Sequence, residues 1–299
     1  MRVHPIVFDD TSCRLGEGAV WDDSCAGGAL LWVDIPAGLV FRKPASGGRT
    51  ERIDLGQSVG CVFPRFSEGY VAGLRDGVAA FDFERGITGW VDRSIGTDPE
   101  TRCNDGAIDR RGRLWVGVMP DDQRAGAGRL LRIDGTGPAR IVREGLTVPN
   151  GIAWSADGGL MFHIDSPRRV IKAIEFDEAS GELGDVVRSI HTPEAWGYPD
   201  GMTVDEEGCL WVAHWAGSRV SRWDPFRASC IGEIALPTPN VTSCAFGGEG
   251  FRDLFITTAR DGDGVGGEVF VCRPGPVGQR PGPPPYRPHD AEPRSKSRA

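Results

Sequence analysis

A short apolar segment recurs six times along the 299 residues of this chain. It reads Leu30-Leu31-Trp32-Val33, Tyr70-Val71-Ala72-Gly73, Leu114-Trp115-Val116-Gly117, Leu160-Met161-Phe162-His163, Leu210-Trp211-Val212-Ala213 and Leu254-Phe255-Ile256-Thr257. From Trp32 through Val71, Trp115, Phe162 and Trp211 to Phe255 the steps are 39, 44, 47, 49 and 44 residues. A period of this size marks a repeat architecture, in which each unit buries its apolar face only against its neighbours.

The surroundings of the repeated segment say what each unit is. A turn bearing glycine precedes several copies: Asp109-Arg-Arg-Gly112, Ser155-Ala-Asp-Gly158 and Asp205-Glu-Glu-Gly208. Before the turn stands another apolar run, such as Gly151-Ile-Ala-Trp154, and after the segment comes one of alternating character, such as Val170-Ile-Lys-Ala-Ile-Glu-Phe176. Such spacing marks hairpins. Helical stripes are almost absent, and 43 glycines oppose them. Three or four antiparallel strands per unit of this length make a propeller blade, so the expected fold is all-β, a six-bladed β-propeller formed as one domain by residues 1–275. The run Val3-His-Pro-Ile-Val-Phe8 is expected to pair beside Gly267-Glu-Val-Phe-Val-Cys272 and close the ring. Residues 276–299 are rich in proline and charge, and are expected to form a disordered tail.

Charge and composition exclude several functions. The net charge is −8 and no Lys/Arg run is present, so nucleic acid is not an expected partner. No stretch approaches 18 apolar residues and the first ten residues lack a signal-peptide run. A cytoplasmic protein without a membrane partner, monomeric or weakly homo-oligomeric, is expected. The eight cysteines form no C-x-x-C pair and read as buried free thiols. Gly56-Gln-Ser58-Val-Gly60 fits a nucleophile elbow and Gly262-Asp-Gly264-Val-Gly-Gly267 a dinucleotide loop, but each runs into a strand-like segment instead of a helix. Asn240-Val-Thr242 is a formal glycosylation sequon, and His163 and His214, in or beside repeated segments, read as hydrogen-bonded core residues or as supports behind the site and not as metal ligands.

Superposing the units exposes the candidate chemistry. One register of the first strand holds Glu17, Val59, Asn104 or Asp105, Asn150, Asp200 and Ser243. In a propeller, equivalent positions of the innermost strands converge on the central channel at one height. Carboxylates gathered there repel one another unless a cation lies between them. The oxygen-only set suits calcium, magnesium or manganese, with zinc also compatible. The competing explanation is that Asn-Gly and Asp-Gly are simply turn signals.

Six segments in order carry a closer resemblance: Leu15-Gly-Glu-Gly-Ala-Val-Trp21, Arg102-Cys-Asn-Asp-Gly-Ala-Ile-Asp109, Val148-Pro-Asn-Gly-Ile-Ala-Trp154, Tyr198-Pro-Asp-Gly-Met-Thr-Val204, Asn240-Val-Thr-Ser-Cys-Ala-Phe-Gly-Gly248 and Thr257-Thr-Ala-Arg-Asp-Gly262. Together they resemble the SMP-30/gluconolactonase/regucalcin-like family. The resemblance implies a lactonase that uses one divalent cation (calcium, manganese, magnesium, zinc or iron) to hydrolyse a sugar lactone such as gluconolactone or a pentonolactone. It implies Glu17, Asn150 and Asp200 as metal ligands, Asp200 also as catalytic base, and Arg102, Asn104 and Asp122 as substrate contacts. Two other functions fit the same scaffold: organophosphate or aryl-ester hydrolysis at the same metal, and a calcium-binding propeller without catalysis.

Overall fold

Each unit folds as a four-stranded antiparallel sheet whose strands follow one another outward from the axis, and the described residues form six such sheets. The computed structural model describes residues 3–65, 69–135 and 138–280. The innermost strands are Gly16–Asp22, Val59–Pro64, Thr101–Ile108, Pro149–Trp154, Tyr198–Val204 and Val241–Gly247. Each contacts the innermost strand of the next sheet, and the sixth contacts the first. The fold is a six-bladed β-propeller. Strand Ile6–Asp9 pairs antiparallel with Val269–Cys272 as the outer strand of the sixth blade, so the chain's beginning closes the ring.

The repeated segments supply the second strand of every blade and hence the core between blades. Trp32, Trp115, Phe162 and Phe255 are fully or almost fully buried there. Two of the predicted turns lock onto the tryptophan of this strand: Asp109 Oδ2 accepts from Trp115 Nε1 at 3.0 Å, and Asp205 Oδ2 from Trp211 Nε1 at 2.9 Å. Each aspartate also holds an arginine, Arg113 or Arg222. Thus the repeated turn satisfies an indole donor that burial would otherwise leave unpaired.

All eight cysteines are free; six are buried, while Cys25 and Cys230 are only half-buried. Ser58 leads directly into strand Val59–Pro64, and the loop at 262–267 leads to Val269–Cys272, so neither decoy motif has its helix. Asn240 of the sequon is buried. Among the described residues no helix is long and apolar enough to cross a membrane.

The end of the domain lies further on than composition suggests. Val277 O accepts from Glu206 N, Gly278 N donates to Phe251 O, and Gln279 N donates to Val204 O. Residues 277–279 are therefore fastened to blades five and six and do not belong to a free tail. The expectation for residues 281–299 falls outside the described residues.

Candidate functional site

The six innermost strands share one irregularity. Each carries a one-residue bulge near its start, between Glu17 and Val20, Val59 and Cys61, Cys103 and Gly106, Asn150 and Ile152, Pro199 and Met202, and Val241 and Ser243. A bulge leaves a residue unpaired and re-aims its side chain. Here six bulges form one ring at the register that holds Glu17, Asn104, Asp105, Asn150 and Asp200. The Asn-Gly and Asp-Gly pairs are consequently strand features and not tight turns. Their glycines serve close approach: a Cβ on Gly151 would lie 2.6 Å from the Asp200 carbonyl, and one on Gly201 2.5 Å from Ser243 Oγ.

Buried carboxylates at this register also act on one another electrostatically. Glu17, Asn150 and Asp200 are only 7%, 5% and 5% exposed. Burial and the nearby Asp105 raise the Glu17 pKa to about 8. Burial, Glu17 and Asp105 hold Asp200 well above the usual carboxylate range, and burial pushes Asp105 up to about 6. Asp200 Oδ1 is buried without a hydrogen-bond partner among the described residues, and Glu17 Oε2 accepts only from Gly18 N. Buried, mutually repelling and largely unpartnered oxygens are what a bound cation would relieve. Two carboxylates and an amide oxygen suit a hard divalent ion. Among the described residues no three His, Cys, Asp or Glu side chains gather at metal distance, so a protein-only triad of charged ligands is absent.

Around these groups the approach loops are pinned by a repeated device. Asp34 Oδ2 and Oδ1 accept from Arg14 N and Leu15 N just before Glu17, at 2.8 and 3.2 Å. Asp165 Oδ1 likewise accepts from Thr147 N and Val148 N before Asn150, at 3.1 and 3.0 Å. Sequence reasoning passed over both aspartates. The available signal was their shared place at the end of a repeated segment.

The expected substrate contacts divide. Arg102 and Asn104 stand beside the cluster: Arg102 Nη1 donates to Asn104 Oδ1 at 2.7 Å, and Asn104 Nδ2 donates to Asn150 Oδ1 at 2.9 Å. Arg102 Nη1 also donates to the Cys103 carbonyl at 3.0 Å, and its guanidinium is a permanently charged donor beside the cluster. The structure does not bring Asp122 to this group. Its carboxylate, 57% exposed, pairs with Arg124 at 3.3 Å. Its neighbour Asp121 reaches Arg102 Nε at 3.6 Å and Arg75 Nη1 at 2.8 Å.

Other polar and aromatic candidates lie elsewhere. The Trp196 ring packs beside His214 and Trp223 with the Arg219 guanidinium over it, which is a packing role. His214 Nε2 lies 2.6 Å from Ser221 Oγ, but His214 Nδ1 and His163 Nε2 are each buried without a hydrogen-bond partner among the described residues. Burial lowers the two imidazoles to about 4 and about 3. A cavity of about 240 Å³ opens among the far ends of the inner strands, lined by Trp21, Phe63, Trp154, Met202 and Phe246, and none of the clustered oxygens lines it. A smaller one of about 40 Å³ reaches Asp105 and Ser243 within the channel.

Comparison with known proteins gives a consistent result. Residues 15–260 match the family model described as SMP-30/Gluconolactonase/LRE-like region. The chain is 36% identical over 267 residues to pentonolactonase XacC of Haloferax volcanii, covering 87% of each. It is 34% identical over 253 residues to 6-deoxy-6-sulfogluconolactonase of Pseudomonas putida, covering 83% of this chain and 84% of that one. The solved luciferin-regenerating enzyme superposes with a TM-score of 0.87 at 26% identity, covering 95% of this chain and all of the other.

Proposed function

Because the chain belongs to the SMP-30/gluconolactonase/LRE-like family, we propose that it opens an aldonolactone, a five- or six-carbon sugar lactone, to the free sugar acid. One observation supports this reading above the rest. Glu17, Asn150 and Asp200 are buried at one register of the innermost strands, with one Asp200 oxygen unpartnered, in a chain similar to two proteins named as lactonases.

Glu17, Asn150 and Asp200 would hold one divalent cation, and such an ion supplies Lewis acidity toward a carbonyl oxygen and a site for water. The remaining work belongs to the chain. Asp200 accepts the proton of the attacking water, a task suited to a carboxylate whose oxygen is free of protein partners. Arg102 offers its guanidinium to a substrate hydroxyl or ring oxygen, held by Nη1 on Asn104 and Cys103 and by Nε near Asp121. A guanidinium so braced offers a fixed donor.

The test is acid release, followed as base consumption, on a panel: gluconolactone, a pentonolactone, an aryl ester and a phosphotriester. Turnover confined to the sugar lactones supports the proposal. Turnover confined to the phosphotriester or aryl ester would reassign the chemistry, and no turnover on any would favour a binding role.

A further inference from the structure

One continuous line of hydrogen bonds crosses the candidate site from blade three to blade five. Arg102 Nη1 donates to Asn104 Oδ1 at 2.7 Å, and Asn104 Nδ2 donates to Asn150 Oδ1 at 2.9 Å. Asn150 Nδ2 then donates to Ser166 Oγ at 2.9 Å, and Ser166 Oγ donates to the Pro199 carbonyl at 2.7 Å. Pro199 immediately precedes Asp200.

The direction of this line is forced at both ends. A guanidinium only donates and a backbone carbonyl only accepts. Between them each amide has a single orientation that keeps every bond, with its oxygen toward Arg102 and its nitrogen toward Pro199. We propose that Ser166 is a positioning residue that fixes the Asn150 amide, so that Oδ1 and not Nδ2 is presented as a ligand, and that ties it to the strand carrying Asp200. The inference rests on the metal site described above.

Serine is suited to this place because its hydroxyl accepts one bond and donates another within a small volume. Ser166 opens the short 3-10 turn Ser166–Arg168 directly after strand Leu160–Asp165. Its backbone N donates to Val148 O, and its side chain is buried. It is therefore anchored to the loop that delivers Asn150 while its hydroxyl reaches blade five. Without the hydroxyl, Asn150 Nδ2 and the Pro199 carbonyl both lose a buried partner. A flipped amide would then turn an N–H₂ group toward the cation.

The experiment is a titration of chelator-treated protein with Mn²⁺, following free ion by electron paramagnetic resonance, on wild type, Ser166→Ala, Ser166→Val and Ser166→Thr. Threonine and valine have nearly the same shape, and only threonine keeps the hydroxyl. Loss of a partner behind a metal ligand typically weakens binding roughly 10–100-fold, so alanine and valine should bind that much more weakly and threonine close to wild type. Alanine or valine binding like wild type, or threonine as weak as valine, overturns the role of Ser166 and leaves the metal site standing. Wild type that binds no Mn²⁺ removes both.

Discussion

Gly151→Ala adds one methyl group at the point where two blades nearly touch. The new Cβ would stand 2.6 Å from the Asp200 carbonyl oxygen, 2.6 Å from Ile164 Cδ1 and 3.1 Å from Met202 Cγ. The Ile164 methyl and Met202 can turn aside, but a backbone carbonyl in a paired strand cannot. Ordinary contact begins near 3.4 Å, so the blade-five strand must retreat by roughly 0.8 Å in a close-packed interior. Overpacking of this kind costs about 1–3 kcal/mol. For a chain of this size that lowers Tm by about 2–5 °C. The retreat falls on the strand start that carries Asp200, and a misplacement of about 1 Å near reacting groups costs about 10²-fold. Lactone turnover should therefore fall about 10- to 100-fold, out of proportion to the modest thermal loss. Gly208→Ala is the control: its φ is +79° and nothing lies within 4 Å, so it should cost about 1 kcal/mol of backbone strain and no turnover. Calorimetric melts and steady-state kinetics on both variants decide the matter. A Gly151→Ala protein with wild-type Tm and wild-type turnover would refute the close approach on which the site depends.

Three further outcomes are expected. Asp200→Asn keeps its size and one oxygen but loses the proton acceptor, so turnover should fall about 10²- to 10⁴-fold at retained partial metal occupancy, while Asn150→Asp should be milder. Metal content and turnover measured on the same samples check this, and a loaded Asp200→Asn enzyme near wild type would assign the base elsewhere. His163 and His214 are held below their unfolded value near 6.5, so the unfolded chain binds protons first and stability is lost as pH falls from 6.5 toward 4 and 3. By pH 5 each contributes about 2 kcal/mol of loss, and His163→Leu should flatten that acid limb in pH-resolved melts. Ending the chain at Arg280 should leave Tm and turnover nearly unchanged, whereas ending it at Gly275 removes the bonds of residues 277–279 to blades five and six and should lower Tm by several degrees.

The blades were legible in the sequence because strand period, turn glycines and the repeated Trp or Phe report local geometry. The common register of Glu17, Asn150 and Asp200 on the innermost strands was legible because the repeat aligns those strands from blade to blade. The bulges were not, since a single unpaired residue leaves no compositional mark, and Asn-Gly therefore resembled a turn. Asp121 and Asp122 are adjacent and chemically identical, and only the loop's path turns one to Arg102 and the other to Arg124. The docking of residues 277–279 uses backbone groups, which every sequence possesses. Ser166 was invisible for a similar reason, because its role lies in joining a side chain 16 positions away to a carbonyl 33 positions away.

The decisive measurement is metal content by elemental analysis together with lactone hydrolysis, before chelation, after it and after the ion is restored. One divalent ion per chain is expected, with hydrolysis lost on its removal and regained on its return, and with Tm lowered in the stripped protein. An ion present at 100 times its Kd stabilises the native state by about 2.7 kcal/mol. Full hydrolysis by protein shown to be free of metal would contradict the assignment of Glu17, Asn150 and Asp200 as the site of the chemistry.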